Sequence, residues 1–222
     1  DDAMKLGFNW QRGPFEMIDA IGQQRFAALL DECGLTVPAF LEDGAPNYSV
    51  QAGSLMVRHA DGARQPVNLP EGVMRFHMTR RTLHPILKND AASLFALDGD
   101  LRLVEFHSKA NALTDESMQI VAAAAEDHGA GIIIHNDAQH FSAGVDLNAF
   151  RAYIEAENWD GIDGFLDRFQ KAVCALKYTP VPVVGAPSGL AAGGGYEVLA
   201  HCDRLVVHTN SVMGLVEAGV GV

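Results

Sequence analysis

Two glutamates in the last thirty residues of the sequence could carry out acid–base chemistry. Glu197 directly follows three glycines and a tyrosine, and Glu217 follows the apolar stretch 213–216. Most glutamates are solvated surface residues. In apolar, glycine-rich surroundings, however, a carboxyl group resists ionisation and can hold or transfer a proton. Two such groups close together would supply the acid and the base of a general acid–base reaction.

Two glycine-rich turns accompany these glutamates, one over residues 141–146 (FSAGVD) and one over 193–197 (GGGYE). Such turns, placed between a strand and a helix, let backbone N–H groups face a ligand. The dinucleotide fingerprint fails because Val198 occupies its third small position, and no Gly-Lys-Ser/Thr of a P-loop occurs. Ser188 lies in G-A-P-S-G, which is not a nucleophile elbow. Either turn alone could be a plain tight turn, but beside two carboxyl groups they favour proton transfer next to a developing oxyanion.

The histidines and cysteines do not form a metal-binding or nucleophilic pattern. His135 and His140 are five residues apart across a turn, and no H-E-x-x-H or zinc-finger spacing occurs. We therefore expect no metal site. The run His201-Cys202-Asp203 resembles a catalytic triad only in sequence, because neighbours along a helix point to different faces.

Regular elements that could position the turns follow from the apolar pattern and from glycine and proline. Strands and helices alternate after residue 92, which indicates an α/β domain. The pattern predicts hairpins, helices, buried strands and a linker with about one helical turn. The predicted hairpins are 54–59 with 64–69 and 94–97 with 101–106; the helices are 13–34, one capped by Thr114 and ended by Gly129, 146–157, 162–177 and one opened by 193–195; the buried strands are 132–134, 182–185 and 204–208; and the linker is 71–92.

Composition excludes several functional classes. The net charge of −12 argues against a nucleic-acid partner, and no apolar run approaches the ~20 residues of a membrane helix. Three scattered cysteines indicate a reducing compartment. The N-terminus has no signal-peptide pattern, so we expect a cytoplasmic protein without a membrane partner. The sequence begins without Met and stops within Gly-Val-Gly-Val, which suggests a fragment of a longer chain.

Four ordered motifs resemble the crotonase (enoyl-CoA hydratase/isomerase) superfamily over residues 93–222. They are N-A-L at 111–113, F-S-A-G-V-D-L at 141–147, P-V-V-G-A-P-S-G-L-A-A-G-G-G-Y-E at 182–197 and M-G-L-V-E-A-G-V-G from Met213. The resemblance implies a β-β-α spiral fold. It also implies that the backbone N–H groups of Val145 and Gly194 bind the thioester oxygen of an acyl-CoA. Val145 stands where Ala is common, and Tyr196 where Cys is frequent.

The same resemblance assigns the remaining roles. Glu197 and Glu217 align with the two glutamates of hydratases. The other turn residues would contact the acyl-CoA substrate, namely Ala143, Gly144, Asp146, Gly193 and Gly195. The implied reaction is hydration of a trans-2-enoyl-CoA to a 3-hydroxyacyl-CoA. Two alternatives stay open: an enoyl-CoA isomerase, which needs only one acid, and a module that binds acyl-CoA or a sister subunit without turnover.

The N-terminal segment carries a second resemblance. The run from Ala3 to Gly22 (AMKLGFNWQRGPFEMIDAIG) resembles the C-terminal helical domain of 3-hydroxyacyl-CoA dehydrogenases. Dehydrogenase followed by hydratase is the order of bacterial β-oxidation fusion proteins. We therefore expect a dehydrogenase remnant at 1–48, a hairpin and linker at 49–92, and a truncated crotonase-like part at 93–222. The resemblance places NAD in an upstream domain, with no cofactor in this chain, and implies a homo-oligomer or a β-oxidation complex.

Overall fold

The computed structural model of the chain divides into two compact units. Asp1–Thr82 form the N-terminal unit and Leu83–Val222 form the C-terminal unit. The structure describes residues 1–8, 10, 12–52, 54–216 and 219, with Leu6 and Ala149 described as backbone only. The assignment of 1–48, 49–92 and 93–222 to separate domains stays a prediction.

The N-terminal unit consists of short helices followed by a small antiparallel sheet in the order β1–β2–β3. Its helices are α1 (Asp2–Phe8), α2 (Pro14–Ile21), α3 (Gln23–Glu32) and α4 (Phe76–Thr79), with a 3-10 turn at Ala39–Leu41; its strands are β1 (Tyr48–Gln51), β2 (Ser54–Arg58) and β3 (Arg64–Pro66).

One helix predicted from the sequence is two helices in the structure. The apolar pattern over 13–34 predicts a continuous helix, but Gly22 has φ of 90° and separates α2 from α3. A positive φ is incompatible with a helix interior, and glycine adopts it without steric cost. The prediction of a single helix is therefore wrong, although Pro14 does begin α2 and Ile18 is buried, as the pattern implies.

The predicted hairpin around Asp61-Gly62 is confirmed, because β2 and β3 pair antiparallel with Arg58 opposite Arg64. The single helical turn expected in the 71–92 linker is α4. The same linker also contains a strand that the sequence does not predict, β4 (Pro85–Lys88). This strand is mostly exposed and lies at a sheet edge, where proline is tolerated, so it lacks the apolar alternation that would reveal it.

The C-terminal unit is built around a mixed sheet in the order β10–β8–β7–β6–β5–β4. Strands β4 to β6 pair antiparallel, and β6, β7, β8 and β10 pair parallel. Besides β4, its strands are β5 (Ala92–Leu97), β6 (Leu101–Phe106), β7 (Gly131–His135), β8 (Val183–Ala186), β9 (Leu190–Ala192), β10 (Arg204–Leu205) and β11 (Val212–Gly214), and its helices are α5 (Asp115–Glu126), α6 (Leu147–Glu155), α7 (Trp159–Lys177) and α8 (Gly194–Ala200).

An apolar core joins the sheet to helices α5 and α7. Ile132 and Ile134, which share one face of β7, are almost completely buried, whereas Ile133 on the opposite face is only partly buried. The predicted burial of this strand on both faces is therefore complete on one face only. The helices contribute side chains such as Ile120 of α5 and Phe169 of α7 to the same core. Strands β8 and β9 also contribute residues to this core. The core therefore supports the strands that lead to the second glycine-rich turn.

The start of α5 agrees with the sequence in detail. The Thr114 hydroxyl accepts from the Ser117 N–H, and the Ser117 hydroxyl accepts from the Thr114 N–H, which satisfies both otherwise free donors. The strand predicted at 204–208 is neither as long nor as buried as expected, because it lies at the edge of the sheet with Arg204 exposed and Leu205 only partly buried. Only Arg204 and Leu205 of the expected 204–208 pair with β8. Over the described ranges, no helix combines the length and the apolar character needed to cross a membrane.

Candidate active site

The first glycine turn, residues 141–146, is fixed to the segment before α5. The Leu113 N–H donates to the Gly144 carbonyl at 2.8 Å, and the Asp146 N–H donates to the Leu113 carbonyl at 2.9 Å. These two bonds form a parallel bridge between Leu113 and Val145. In such a bridge the bonds come from the residues that flank Val145, so its own N–H points away from Leu113.

The second glycine turn, residues 193–197, leads from β9 into α8. Strand β9 pairs parallel with β11, and the Gly193 N–H donates to the Gly214 carbonyl at 3.0 Å. Gly193 then adopts φ of 49° and ψ of −122°, a combination open to glycine, and the chain turns into the helix at Gly194. The Gly194 N–H is the first of α8 and has no partner within the helix.

The two turns lie directly against one another. The Ser142 N–H donates to the Leu190 carbonyl at 3.0 Å, and the Ala192 N–H donates to the Ser142 carbonyl at 3.1 Å. A Cβ on Gly144 would lie 3.0 Å from the Ala192 carbonyl oxygen and 3.8 Å from the Gly194 nitrogen. Gly144 therefore has to be glycine both for this close approach and for its φ of 96°.

Two more glycines make close packing between the turns possible. A Cβ on Gly194 would lie 2.8 Å from a γ-methyl of Val145 and 3.3 Å from the Phe169 ring. A Cβ on Gly195 would lie 2.7 Å from the Ser142 Cβ. The side chain of Val145 thus packs on Gly194 and on the core, and each glycine is needed because the other turn occupies the space of its side chain.

The predicted oxyanion donors are brought together by this packing. Among the described residues, neither the Val145 N–H nor the Gly194 N–H donates a hydrogen bond to another protein group. Both groups lie in contacting turns on a packed core. Two free N–H donors held in this way can stabilise a negative charge on an oxygen placed between them.

The two predicted carboxylates have different outcomes. Glu197 lies in the first turn of α8, three residues after Gly194, and its side chain is exposed in the structure. Among the described residues, the neighbouring Val198 and Leu199 side chains are buried in the core and the Glu197 side chain is not. The catalytic role of Glu197 stays a prediction. Glu217 lies outside the described residues, so its predicted position beside Glu197 stays a prediction.

The five residues predicted to contact substrate differ in their exposure. Ala143 is exposed and Gly193 is half-buried, whereas Gly144 and Gly195 are buried between the turns. Asp146 serves a local purpose, since its carboxylate accepts the Asn148 N–H at 2.9 Å and caps α6.

Sequence reasoning missed several residues that hold the turns. Ser142 is completely buried, and its hydroxyl donates to the Asn111 carbonyl at 2.8 Å and accepts from the Gly144 N–H at 3.1 Å. Asn111 also donates from its side chain to the His140 carbonyl at 2.8 Å. Asn136 accepts the Phe106 N–H and donates to the Phe141 carbonyl. Buried hydroxyl and amide side chains must have hydrogen-bond partners, and here those partners are backbone groups in and around the turns.

Three of the His and Cys residues near the glycine-rich turns have local structural contacts or are partly buried. The His140 Nδ1 accepts the Leu190 N–H at 3.2 Å, and the His201 Nδ1 lies 2.7 Å from the Glu197 carbonyl. Burial, with a smaller contribution from the charge of Asp203, raises the pKa of the Cys202 thiol to about 12, so Cys202 is not a nucleophile at neutral pH. In the part of the chain that is described, no three His, Cys, Asp or Glu side chains are placed to hold a metal ion.

Two open depressions lie away from the glycine turns. One, of about 400 Å³, is in the N-terminal unit next to Glu16, Asp19 and Tyr48. The other, of about 510 Å³, lies between Thr179 and Arg204. Neither is lined by a residue of the two turns, and neither presents an arrangement of groups with recognisable chemistry.

Comparison with known proteins identifies the C-terminal unit. Residues 103–222 match the family described as enoyl-CoA hydratase/isomerase. The whole chain aligns with a Bacillus subtilis protein named "Probable 3-hydroxyacyl-CoA dehydrogenase", at 34% identity over 230 residues. It also aligns in full with a Rickettsia felis protein named as a candidate fatty acid oxidation complex trifunctional enzyme, at 29% identity over 224 residues. In each case the chain covers 29% of the longer protein.

Solved structures support the same fold. An enoyl-CoA hydratase/carnitine racemase from Magnetospirillum magneticum superimposes with a TM-score of 0.54 at 22% identity, covering 61% of this chain and 52% of that one. An enoyl-CoA hydratase from Polaromonas sp. JS666 gives a TM-score of 0.55 at 22% identity, covering 60% and 53%. The predicted crotonase-like α/β fold is therefore confirmed. The resemblance of the whole chain to one part of longer fatty acid oxidation proteins is confirmed as well.

Proposed function

Because the chain belongs to the enoyl-CoA hydratase/isomerase family, we propose that its C-terminal unit hydrates trans-2-enoyl-CoA thioesters to 3-hydroxyacyl-CoA in fatty acid β-oxidation. The observation that carries the proposal is the pair of N–H groups on Val145 and Gly194. They lie on contacting turns and donate to no other group among the described residues. A hydratase, an isomerase and a passive acyl-CoA binder differ in the chemistry that surrounds such a pair.

The two N–H groups supply the electrostatic part of the reaction. When water adds to Cβ of the enoyl thioester, negative charge develops on the thioester oxygen. Val145 and Gly194 donate to that oxygen, and the N-terminal end of α8 adds a favourable dipole. Because the turns are already packed and hydrogen-bonded, little reorganisation is needed as the charge develops.

The two glutamates supply the proton transfers. One carboxylate accepts a proton from the attacking water while the oxygen bonds to Cβ, and the other, protonated, delivers a proton to Cα. Glu197 is attached to the same short helix as the Gly194 donor, which supports a role near the thioester. Like charges near one another push the pKa values of a carboxyl pair apart, which would produce one acid and one base.

We further propose the contacts that surround this centre. Ala143, Gly144, Asp146, Gly193 and Gly195 would line the path of the acyl-CoA. The 3-hydroxyacyl-CoA dehydrogenase activity, with its NAD site, is proposed for a part of the full-length protein outside these residues, and the C-terminal unit would need no cofactor. A homo-oligomer or a β-oxidation complex is the proposed assembly, and the cytoplasm the proposed compartment.

Substitution of the glutamates tests the chemistry. In the full-length protein we expect Glu197→Gln and Glu217→Gln each to lower hydration of a short trans-2-enoyl-CoA by at least ~10²-fold, with little change in acyl-CoA affinity. Glu126→Gln is a suitable control, since Glu126 is an exposed glutamate on α5. If only one of the two variants loses activity and double-bond migration is observed, the protein is an isomerase. If binding occurs without any turnover by the wild type, it is a passive binder.

A second pair of variants tests the oxyanion donor at Gly194. Gly194→Pro removes the N–H, and Gly194→Ala keeps it, while both place a Cβ about where Val145 packs. We expect Pro to lower kcat by about 10²–10³-fold and Ala to lower it much less. Equal losses in the two variants would show that packing, rather than the donor, is responsible.

A further inference from the structure

The side chain of Ser142 contacts both glycine-rich turns and the Asn111 segment. Its hydroxyl donates to the Asn111 carbonyl at 2.8 Å and accepts from the Gly144 N–H at 3.1 Å. Its Cβ packs on Gly195, where a side chain would approach to 2.7 Å. Ser142 is also completely buried.

The backbone of Ser142 completes the connection to the second turn. Its N–H donates to Leu190 and its carbonyl accepts from Ala192, which places Ser142 beside the last residues of β9. The chain reaches Gly194 two residues after Ala192. A displacement of Ser142 would therefore change the position of Val145 relative to Gly194.

The partner of the hydroxyl is itself held in an unusual conformation. Ala110 and Asn111 have φ of 55° and 51°, in the left-handed region that L-residues other than Asn and Asp rarely adopt. In that conformation the Ala110 carbonyl accepts the Ala143 N–H at 3.2 Å, and the Asn111 carbonyl accepts from Ser142. Strain of this kind persists where the surroundings over-determine it, often at functional sites.

Gly144 is where this support matters most. It has φ of 96° and no side chain, so its own packing does not fix its peptide planes. The Ser142 hydroxyl holds the Gly144 N–H, and Leu113 holds the Gly144 carbonyl. The peptide that carries the Gly144 carbonyl also carries the Val145 N–H, so anchoring Gly144 on both sides sets the direction of that donor.

We propose that Ser142 is a positioning residue of the oxyanion hole, whose hydroxyl fixes the direction of the Val145 N–H relative to that of Gly194. This proposal rests on the proposed hydratase function. Ser142 does not touch the substrate, and it acts through Gly144. Its removal therefore lowers stabilisation of the developing charge while leaving most substrate binding intact.

The test compares Ser142→Ala and Ser142→Cys with Ser93→Ala in the full-length protein. Ser93 is a matched control because it is also buried, on β5, and its hydroxyl lies 2.9 Å from the His107 Nε2. Ser142→Ala is expected to lower kcat about tenfold with KM changed less than about threefold, since a misaligned donor loses part of the 10²–10³-fold effect of a deleted one. Ser142→Cys should fall in between, because a thiol is a weaker donor and acceptor.

A spectroscopic readout separates positioning from stability. Hydrogen bonds to a thioester carbonyl lower its stretching frequency, so infrared difference spectra of bound ¹³C-labelled acyl-CoA report the donors directly. We expect a smaller downshift in Ser142→Ala and an unchanged one in Ser93→Ala, even where thermal unfolding shows that both variants are similarly destabilised.

The outcomes distinguish the two proposals. A wild-type protein that does not hydrate enoyl-CoA contradicts the hydratase function and, with it, this inference. A wild type that does hydrate, combined with a Ser142→Ala variant of normal kcat and normal carbonyl frequency, overturns the role of Ser142 alone. A Ser93→Ala variant that loses kcat to the same extent also overturns it, because any buried hydroxyl would then have the same effect.

Discussion

The two units of the chain differ in how deeply the described ion pairs are buried. In the N-terminal unit the carboxylate of Glu16 is 6% exposed and the ammonium-bearing side chain of Lys5 is 8% exposed, and they form an ion pair at 3.0 Å. In the C-terminal unit the buried cluster consists of aliphatic and aromatic side chains, and a representative ion pair, Arg168 with Asp115, lies at the surface. The buried ion pair makes part of the stability of the N-terminal unit depend on ionisation, so substitutions in this pair and in the apolar core of the C-terminal unit should have different signatures.

The buried charge of the N-terminal unit is well satisfied. The Glu16 carboxylate accepts the Gly13 N–H at 2.8 Å, Lys5 at 3.0 Å and Arg81 at 3.2 Å. Burial by itself raises a carboxyl pKa, but the hydrogen bond from Gly13 and the charges of Lys5 and Arg81 outweigh it, and the pKa of Glu16 is lowered. Buried ion pairs of this kind are costly to disrupt, because removal of one partner leaves the other charge uncompensated.

The largest expected effect is in the packing of the C-terminal unit. Phe169 is 6% exposed, stacks near Phe165 and touches Gly194. We expect Phe169→Ala to lower the free energy of unfolding of this unit by about 3–5 kcal/mol through the cavity it creates. Hydrogen–deuterium exchange, followed separately for peptides of each unit, measures the effect. Phe8→Ala is the control, since Phe8 is 71% exposed in the N-terminal unit; an equal loss in both variants would contradict the distinction.

Removal of the buried charge should have the next largest effect. Glu16→Gln leaves Lys5 and Arg81 without their carboxylate, and we expect the N-terminal unit to lose about 3 kcal/mol of unfolding free energy. Glu32→Gln provides a matched control, because Glu32 pairs with Arg25 on exposed α3 side chains, and such pairs contribute less than about 1 kcal/mol. Urea titration monitored by exchange in each unit would show whether the loss is confined to the N-terminal one.

The dependence of stability on pH sharpens the same contrast. Because the pKa of Glu16 is lowered from its ordinary value of 4.5 in the folded state, its contribution is fully present above that value. The contribution is lost as the pH falls through the lowered pKa, since the folded state then has to take up a proton that the unfolded state already holds. We expect the unfolding free energy of the N-terminal unit, obtained from exchange rates relative to the intrinsic rate at each pH, to fall below about pH 4.5 in the wild type and to depend less on pH in Glu16→Gln. Identical pH profiles for the two proteins would rule out Glu16 as the sensitive group.

How far the sequence predicts the molecule differs between local and long-range features. The Ile132–Ile134 run, the Thr114 cap and the glycine turns are local signals, and each appears where the pattern places it. The break at Gly22, the edge strand β4 and the exposure of Glu197 are not predictable in this way. They depend on which surface another segment covers, and a pattern of neighbouring residues does not contain that information.

The candidate site shows the same limit. The resemblance to the crotonase superfamily assigns the donor role to Val145 and Gly194, and the structure places both in contacting glycine-rich turns. Ser142 and Asn111 cannot be identified in this way, because their importance comes from hydrogen bonds to residues that are distant in the chain, or from contact with the other turn. Motif matching therefore identifies candidate groups for the chemistry more readily than it identifies the residues that hold them.

The prediction with the smallest effect on stability concerns the reactivity of the thiols and leaves the fold intact. Cys33 in the N-terminal unit is exposed, whereas burial and the charge of Asp203 raise the pKa of Cys202 in the C-terminal unit to about 12. Only the thiolate reacts with alkylating reagents, so at pH 8 we expect Cys202 to be modified at least about 10³-fold more slowly than Cys33. Mass spectrometry after timed exposure to iodoacetamide gives both rates in one sample. In guanidinium chloride the two rates should become equal, because the difference is caused by the packing around Cys202. Comparable rates in the native protein would mean that this side of α8 opens readily, and the packing that supports the second glycine turn would then be looser than its contacts imply.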